Sequence, residues 1–129
     1  MKLLFSPPSE LAIVGITSEL GELREGIIRL ASNQDGTFTM AAESDFDPAP
    51  YTEHLRRLRI EISDGPTLVY VDNEGDLSII GSPESLSKFA SFIDVRLGDH
   101  THFEYFPGAE WIHERTTPLV VENHVPRYK

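Results

Sequence analysis

The chain has 129 residues, 40% of them hydrophobic, and no cysteine. That length supports one core, the apolar share argues against disorder, and the missing thiols exclude disulfides and thiolate metal sites. Twenty-one acids against eleven Lys and Arg give a formal net charge of −10 at pH 7, which disfavours nucleic acid as a partner and suits a soluble protein that meets a basic one by electrostatic steering.

The opening "MKLLFSPPSE" carries too short an apolar run for a secretory signal, and no run approaches the roughly 18 to 20 residues that span a bilayer. A cytoplasmic location without membrane contact is the expectation. "ELAIVG", Glu10 to Gly15, reads as a strand. "TSELGELREGIIRLASN" places Leu20, Leu23, Ile27 and Leu30 at helical spacing. Ser18 is a candidate N-cap, and Asn33 with "QDG" ends this helix. Gly26 weakens it by up to about 1 kcal/mol against Ala. "GTFTMAA" follows as a strand, then an acidic, Pro-rich loop from Glu43 to Glu53, then the strand "HLRRLRIEIS", His54 to Ser63.

"TLVYVD", Thr67 to Asp72, is a further strand, and "DNEGD" turns it into the strand "DLSIIG", Asp76 to Gly81. The next helix runs through "SPESLSKFASFIDVRLG", with Ser82 as N-cap, Pro83 in the first turn, the stripe Leu86, Phe89, Ala90, Ile93 and Leu97, and Gly98 at the stop. "HTHFEYF", a loop from Pro107 to Pro118, and "PLVVENHV", Pro118 to Val125, complete the chain.

This order repeats. At one offset Leu11 meets Leu77, Ile13 meets Ile79, Gly15 meets Gly81, Leu20 meets Leu86 and Ile27 meets Ile93. The expectation is one α+β domain over 1–129 made of two βαββ-like repeats, 10–63 and 76–125, with Thr67–Asp72 as an extra joining strand. Its sheet is mostly antiparallel and packs both helices on one face. The alternation in each strand sends Arg57, Arg59, Glu61, His102, Glu104, Glu122 and His124 to the other face, with Phe103 and Tyr105 inward. Those polar residues could form a ladder of opposite charges or a binding face. Trp111 is either a partner hot spot or a side chain folded back onto the core edge, and high average burial of Trp favours the latter.

Chemistry is sparse. His100 and His102 stand about 6.5 to 7 Å apart on one side of a strand, which lets two imidazoles converge on an ion. Glu104 is too far along, and the third ligand would be His113, His124 or Glu122. No "HExxH", "GxSxG" or Gly-rich phosphate loop occurs. A small metal-dependent enzyme centred on His100 and His102, with His113 as third ligand, is therefore the runner-up to a binding protein.

"LRIEISDGPTLVYVDNEGDLSIIGSPESLSKFASFI", "HTHFEYFPGAEW" and "TTPLVVENH", across residues 58–124, resemble the predicted immunity proteins of bacterial polymorphic toxin systems, in particular immunity protein family thirty-two. The resemblance implies an α+β protein, coded beside its toxin, that neutralises it by direct binding, with no enzymatic activity and no cofactor. The contact residues expected are His102, Glu104, Trp111, Arg57, Arg59, Glu61 and Glu122. The acidic charge extends this to a basic nuclease as the candidate toxin. A monomer or a weak homodimer fits equally.

Overall fold

The computed structural model describes residues 1–34 and 36–124. Nine strands and two helices follow in the order β1 (Lys2–Ser6), β2 (Glu10–Gly15), α1 (Thr17–Asn33), β3 (Thr37–Ala41), β4 (Glu53–His54), β5 (Arg57–Ile62), β6 (Leu68–Val71), β7 (Leu77–Gly81), α2 (Pro83–Ser91), β8 (His100–Phe103) and β9 (Leu119–Asn123). They form an α+β fold. The strands build two sheets rather than the single one expected, β4-β1-β2-β9-β8 and β3-β5-β7-β6. Five ladders are antiparallel. The two that join the halves of the chain, β2 with β9 and β5 with β7, are parallel.

Alternation decides which side of each strand is buried. Leu3, Leu11, Ile13, Phe103, Leu119 and Val121 of the first sheet turn inward. So do Leu58, Ile60, Val69, Leu77 and Ile79 of the second. Both sets join Leu23 and Ile27 of α1 and Leu86 and Phe89 of α2 in one apolar cluster. Each such side chain contributes roughly 1.5–3 kcal/mol of transfer free energy. Each sheet therefore has an inner, apolar face and an outer one, so the polar side chains expected on one face are divided between two.

The repeat has a different composition from the one expected. β6 is not a joining strand. Its hairpin with β7 sets Val69 against Ile79, as β1 sets Leu3 against Ile13. Apart from the two-residue β4, the unit is ββαββ, twice, and the two units interleave. β2 of the first lies beside β9 of the second, with Leu11 opposite Leu119 and Ile13 opposite Val121. β7 of the second lies beside β5 of the first, with Leu77 opposite Leu58 and Ile79 opposite Ile60. Each helix thus carries the chain out of one sheet and into the other. A hydrophobic period reports which face of a strand is buried and nothing about which strand lies beside it, so the exchange was not legible.

Several boundaries move for local reasons. Ser18 is not the cap of α1: Ile16 holds the N-cap position, and the Glu19 carboxylate accepts its N–H at 3.1 Å. The helix stops at Asn33 with Gln34 in the left-handed region (φ 61°), donating to the Leu30 carbonyl; Asp35 of the expected stop lies outside the described residues. Ser82 caps α2 as expected, accepting the Ser85 N–H at 3.1 Å. α2 ends at Ser91, well before Gly98, because Phe92 and Ile93 donate to carbonyls three residues back, the tightening usual at a helix end. Ile93 stays buried, and Leu97, expected in the stripe, is 59% exposed.

"HLRRLRIEIS" is not one strand. β4 pairs with β1 in the first sheet and β5 with β3 and β7 in the second, and the buried Leu55 between them donates to the Leu3 carbonyl. β8 ends at Phe103, so Tyr105 is 41% exposed rather than inward. β9 ends at Asn123, and Val125 of the expected strand lies outside the described residues. No described helix is long and apolar enough to cross a membrane.

Candidate functional site

Both long loops have a structural task first. Each leaves its own sheet and laces along the hairpin strand of the other. In the first loop, Thr52 bonds Ser6 Oγ and the Phe5 carbonyl, both at 3.1 Å, ahead of β4. In the second, His113 N–H donates to the Thr67 carbonyl at 2.8 Å and Thr117 N–H to Val69 at 2.8 Å, with Ile112 bridging Thr67. The buried Thr116 hydroxyl donates to Thr67 O and accepts from Val69 N–H. The outward edges of β1 and β6 are therefore occupied, whereas β8 and β3 are terminal strands of their sheets.

The outer face of the second sheet holds Arg57, Arg59 and Glu61. The charges there are largely matched within the chain. Arg57 Nε donates to Asp76 at 2.8 Å, and a second nitrogen lies 3.5 Å from Glu74. Asp76 has no exposed surface, so its charge depends on that pair; Arg56 stands 3.9 Å from its other oxygen. Hydrogen bonds to Asp76 and the charge of its carboxylate raise the affinity of Arg57 for its proton. Burial works against the charge of Asp72. The N–H of Asp76, the Ser78 hydroxyl at 2.9 Å, the N–H of Glu74 and the charge of Arg59 outweigh it and hold the carboxyl below its ordinary range. The expected ladder among the strand residues is not formed: of that set Arg57 alone makes an ion pair among the described residues, and its acids are Asp76 and Glu74 of the turn. The "DNEGD" turn was the signal for them, and its reading as a turn alone missed their pairing.

The outer face of the first sheet is different. Lys2 and Leu4 of β1, Glu10, Ala12 and Val14 of β2, Val120 and Glu122 of β9 and His100 and His102 of β8 share it by register. The first loop folds over one side. Phe46 lies 5.2 Å from the His54 ring, and the Lys2 ammonium lies 4.8 Å above Phe46. Tyr51 lines a cleft of about 210 Å³ with Glu10, His102, Glu104 and Val120. Burial and the negative charges of Glu10 and Glu122 push the Tyr51 hydroxyl up, so it stays a neutral donor. Tyr105 and Phe106, next in the chain after Glu104, are 41% and 53% exposed.

The expected contact residues therefore fall into three places. His102, Glu104 and Glu122 belong to this first-sheet face, and Arg57, Arg59 and Glu61 to the other sheet. Trp111 is half-buried against Phe92 and Phe103, with ring centroids 5.3 and 5.7 Å away. It caps the core edge, and its remaining surface lines a separate cleft at the start of α2. The His100 and His102 rings meet edge to face at 5.2 Å. His113 is on the strap along β6, where its Nδ1 accepts the Arg115 N–H, and does not join them. Among the described residues no three His, Asp or Glu side chains gather as a metal ion would require. Leu97, Tyr105 and Phe106 are the exposed apolar residues that sequence periodicity missed, because it placed Leu97 and Tyr105 in the core.

No protein-family model matches the chain, and no curated protein or solved structure is significantly similar to it.

Proposed function

We propose that this is a non-enzymatic binding protein, an immunity protein that neutralises a bacterial toxin in the cytoplasm by holding it in a direct complex. The observation that carries this reading is the outer face of the first sheet. There the carboxylates of Glu10, Glu104 and Glu122 have no ion-pair partner among the described residues, and Tyr105 and Phe106, which follow Glu104 in the chain, are exposed. Aromatic anchors rimmed by charge are how protein interfaces concentrate their affinity. A net charge of −10 adds long-range attraction for a basic partner, and a basic nuclease is the partner class it suits best. The resemblance read from the sequence of residues 58–124 is what selects an immunity protein among binding proteins, and no family model matches to support it.

The test is co-expression with the toxin genes adjacent to this gene. Growth should be restored, and a stable complex should purify with association that slows steeply as salt rises. If no neighbouring toxin is neutralised or bound, the reading is wrong.

A further inference from the structure

The internal duplication makes each outer face a control for the other. By register, Glu10 corresponds to Asp76, Pro118 to Arg57, Val120 to Arg59 and Glu122 to Glu61. In the second sheet the acid at the hairpin end, Asp76, is neutralised across the parallel ladder by Arg57, at 2.8 Å. In the first sheet the matching acid, Glu10, faces a proline and a valine where the arginines would be. Pro118 lines a cleft of about 210 Å³ together with Glu10, Tyr51, His102, Glu104 and Val120. Glu10, Glu104 and Pro118 are exposed at its rim, and Tyr51 is half-buried within it.

We propose that this cleft seats an arginine side chain of a protein partner, which occupies at the first sheet the place that Arg57 occupies at the second. Three features support an arginine. Two carboxylates, Glu10 and Glu104, stand at the mouth without an ion-pair partner among the described residues, and a guanidinium satisfies carboxylates with several donors at once. The Tyr51 ring and the His102 ring offer flat walls on which a guanidinium stacks. Val120, whose side chain shares the outer face and lines the cleft, suits the methylenes of the stem. The face already holds one cation in this manner, Lys2 over Phe46. The inference rests on the proposed function for the identity of the partner as a toxin, and the cleft is testable without one.

The probe is the peptide acetyl-Gly-Arg-Gly-amide, titrated into the whole isotope-labelled chain and followed by amide NMR shifts. Its counterpart with citrulline, which keeps the shape and removes the charge, is the control. Saturable shifts should appear at Glu10, Tyr51, His102, Glu104 and Val120 with the arginine peptide and not with the citrulline one. Glu10→Gln with Glu104→Gln should weaken binding by about tenfold or more, since both charge-assisted contacts are lost at a solvent-screened rim. Pro118→Arg, on an exposed position, should recreate the Arg57–Asp76 arrangement and block the probe.

No saturable shift at the cleft, equal response to citrulline, or full affinity in Pro118→Arg would overturn the proposal. If a variant fails to fold, the arginine–citrulline comparison on the natural chain decides alone. A toxin complex indifferent to Glu10→Gln and Glu104→Gln, with no peptide response, would remove the cleft and leave the immunity reading standing. A peptide response without any toxin complex would do the reverse.

Discussion

At the scale of single residues, Gly26 shows how a local rule is overridden. As a helix interior glycine it costs up to about 1 kcal/mol against Ala. Yet a Cβ there would come within 2.3 Å of the Phe38 ring, so α1 meets β3 through the missing side chain. Gly26→Ala should therefore destabilise the protein by about 1–2 kcal/mol despite its better helix propensity, because overpacking outweighs the gain. Urea unfolding with an unchanged slope would show it, and a stabilised variant would refute the close packing.

Asp72 supplies a pH dependence whose sign follows from its environment. Its carboxyl is held below the ordinary range in the folded chain, so the unfolded chain binds its proton more tightly. The stability it contributes is present above the unfolded value of about 3.9 and is lost as pH falls through the lower, folded one. Asp72→Asn should lower stability at pH 7 by about 1–2 kcal/mol, through lost hydrogen bonds at the turn, and flatten the fall in stability below about pH 4. Unfolding curves collected at both pH values measure the difference. An unchanged acid slope would assign that loss to other groups.

At the scale of elements, Asn123 ties three of them. It is buried at the end of β9, and its side-chain nitrogen donates to Thr17 Oγ1 at 3.0 Å and to the Val95 carbonyl at 2.8 Å. One amide therefore fixes the start of α1 and the chain leaving α2. Asn123→Ala removes both hydrogen bonds and should cost about 1–2 kcal/mol. Hydrogen exchange should locate the loosening at the first turn of α1 and around residues 95–99, rather than uniformly. The interval from Ser91 to Phe106 was the hardest to read. Leu97 fits the helical stripe, but the helix had already closed with tight turns at Phe92 and Ile93. Phe103 and Tyr105 fit one strand face, but pairing with β9 stops at Phe103.

At the scale of the whole molecule, the two ββαββ units cannot be separated without cutting both sheets. Every link within a sheet between the units is a parallel ladder, β2 with β9 or β5 with β7. The chain passes between units at Ser63–Pro66. Fragments 1–64 and 65–129 should each fail to fold as monomers, since each would expose the inner faces of half of both sheets. Mixed, they should assemble one to one with the circular dichroism of the intact chain. A fragment that folds alone as a monomer would show that the interleaving is dispensable.

The sequence by itself determined the α+β class, the helix starts near residues 17 and 83, the hairpin at "DNEGD" and the inward-facing residues of most strands. All of these are recorded in period, turn chemistry and charge along the chain. Only the tertiary structure decided that the strands form two sheets, that β1 is the counterpart of β6, and that the halves exchange strands, because strand neighbours are chosen by long-range packing that leaves no period. It also decided the candidate site. Arg57, Arg59 and Glu61 looked like partners of His102 and Glu122 while one face was assumed. Once the faces separated, Arg57 was matched by Asp76 and Glu74 within the chain. The carboxylates of Glu10, Glu104 and Glu122 in the first sheet have no ion-pair partner among the described residues.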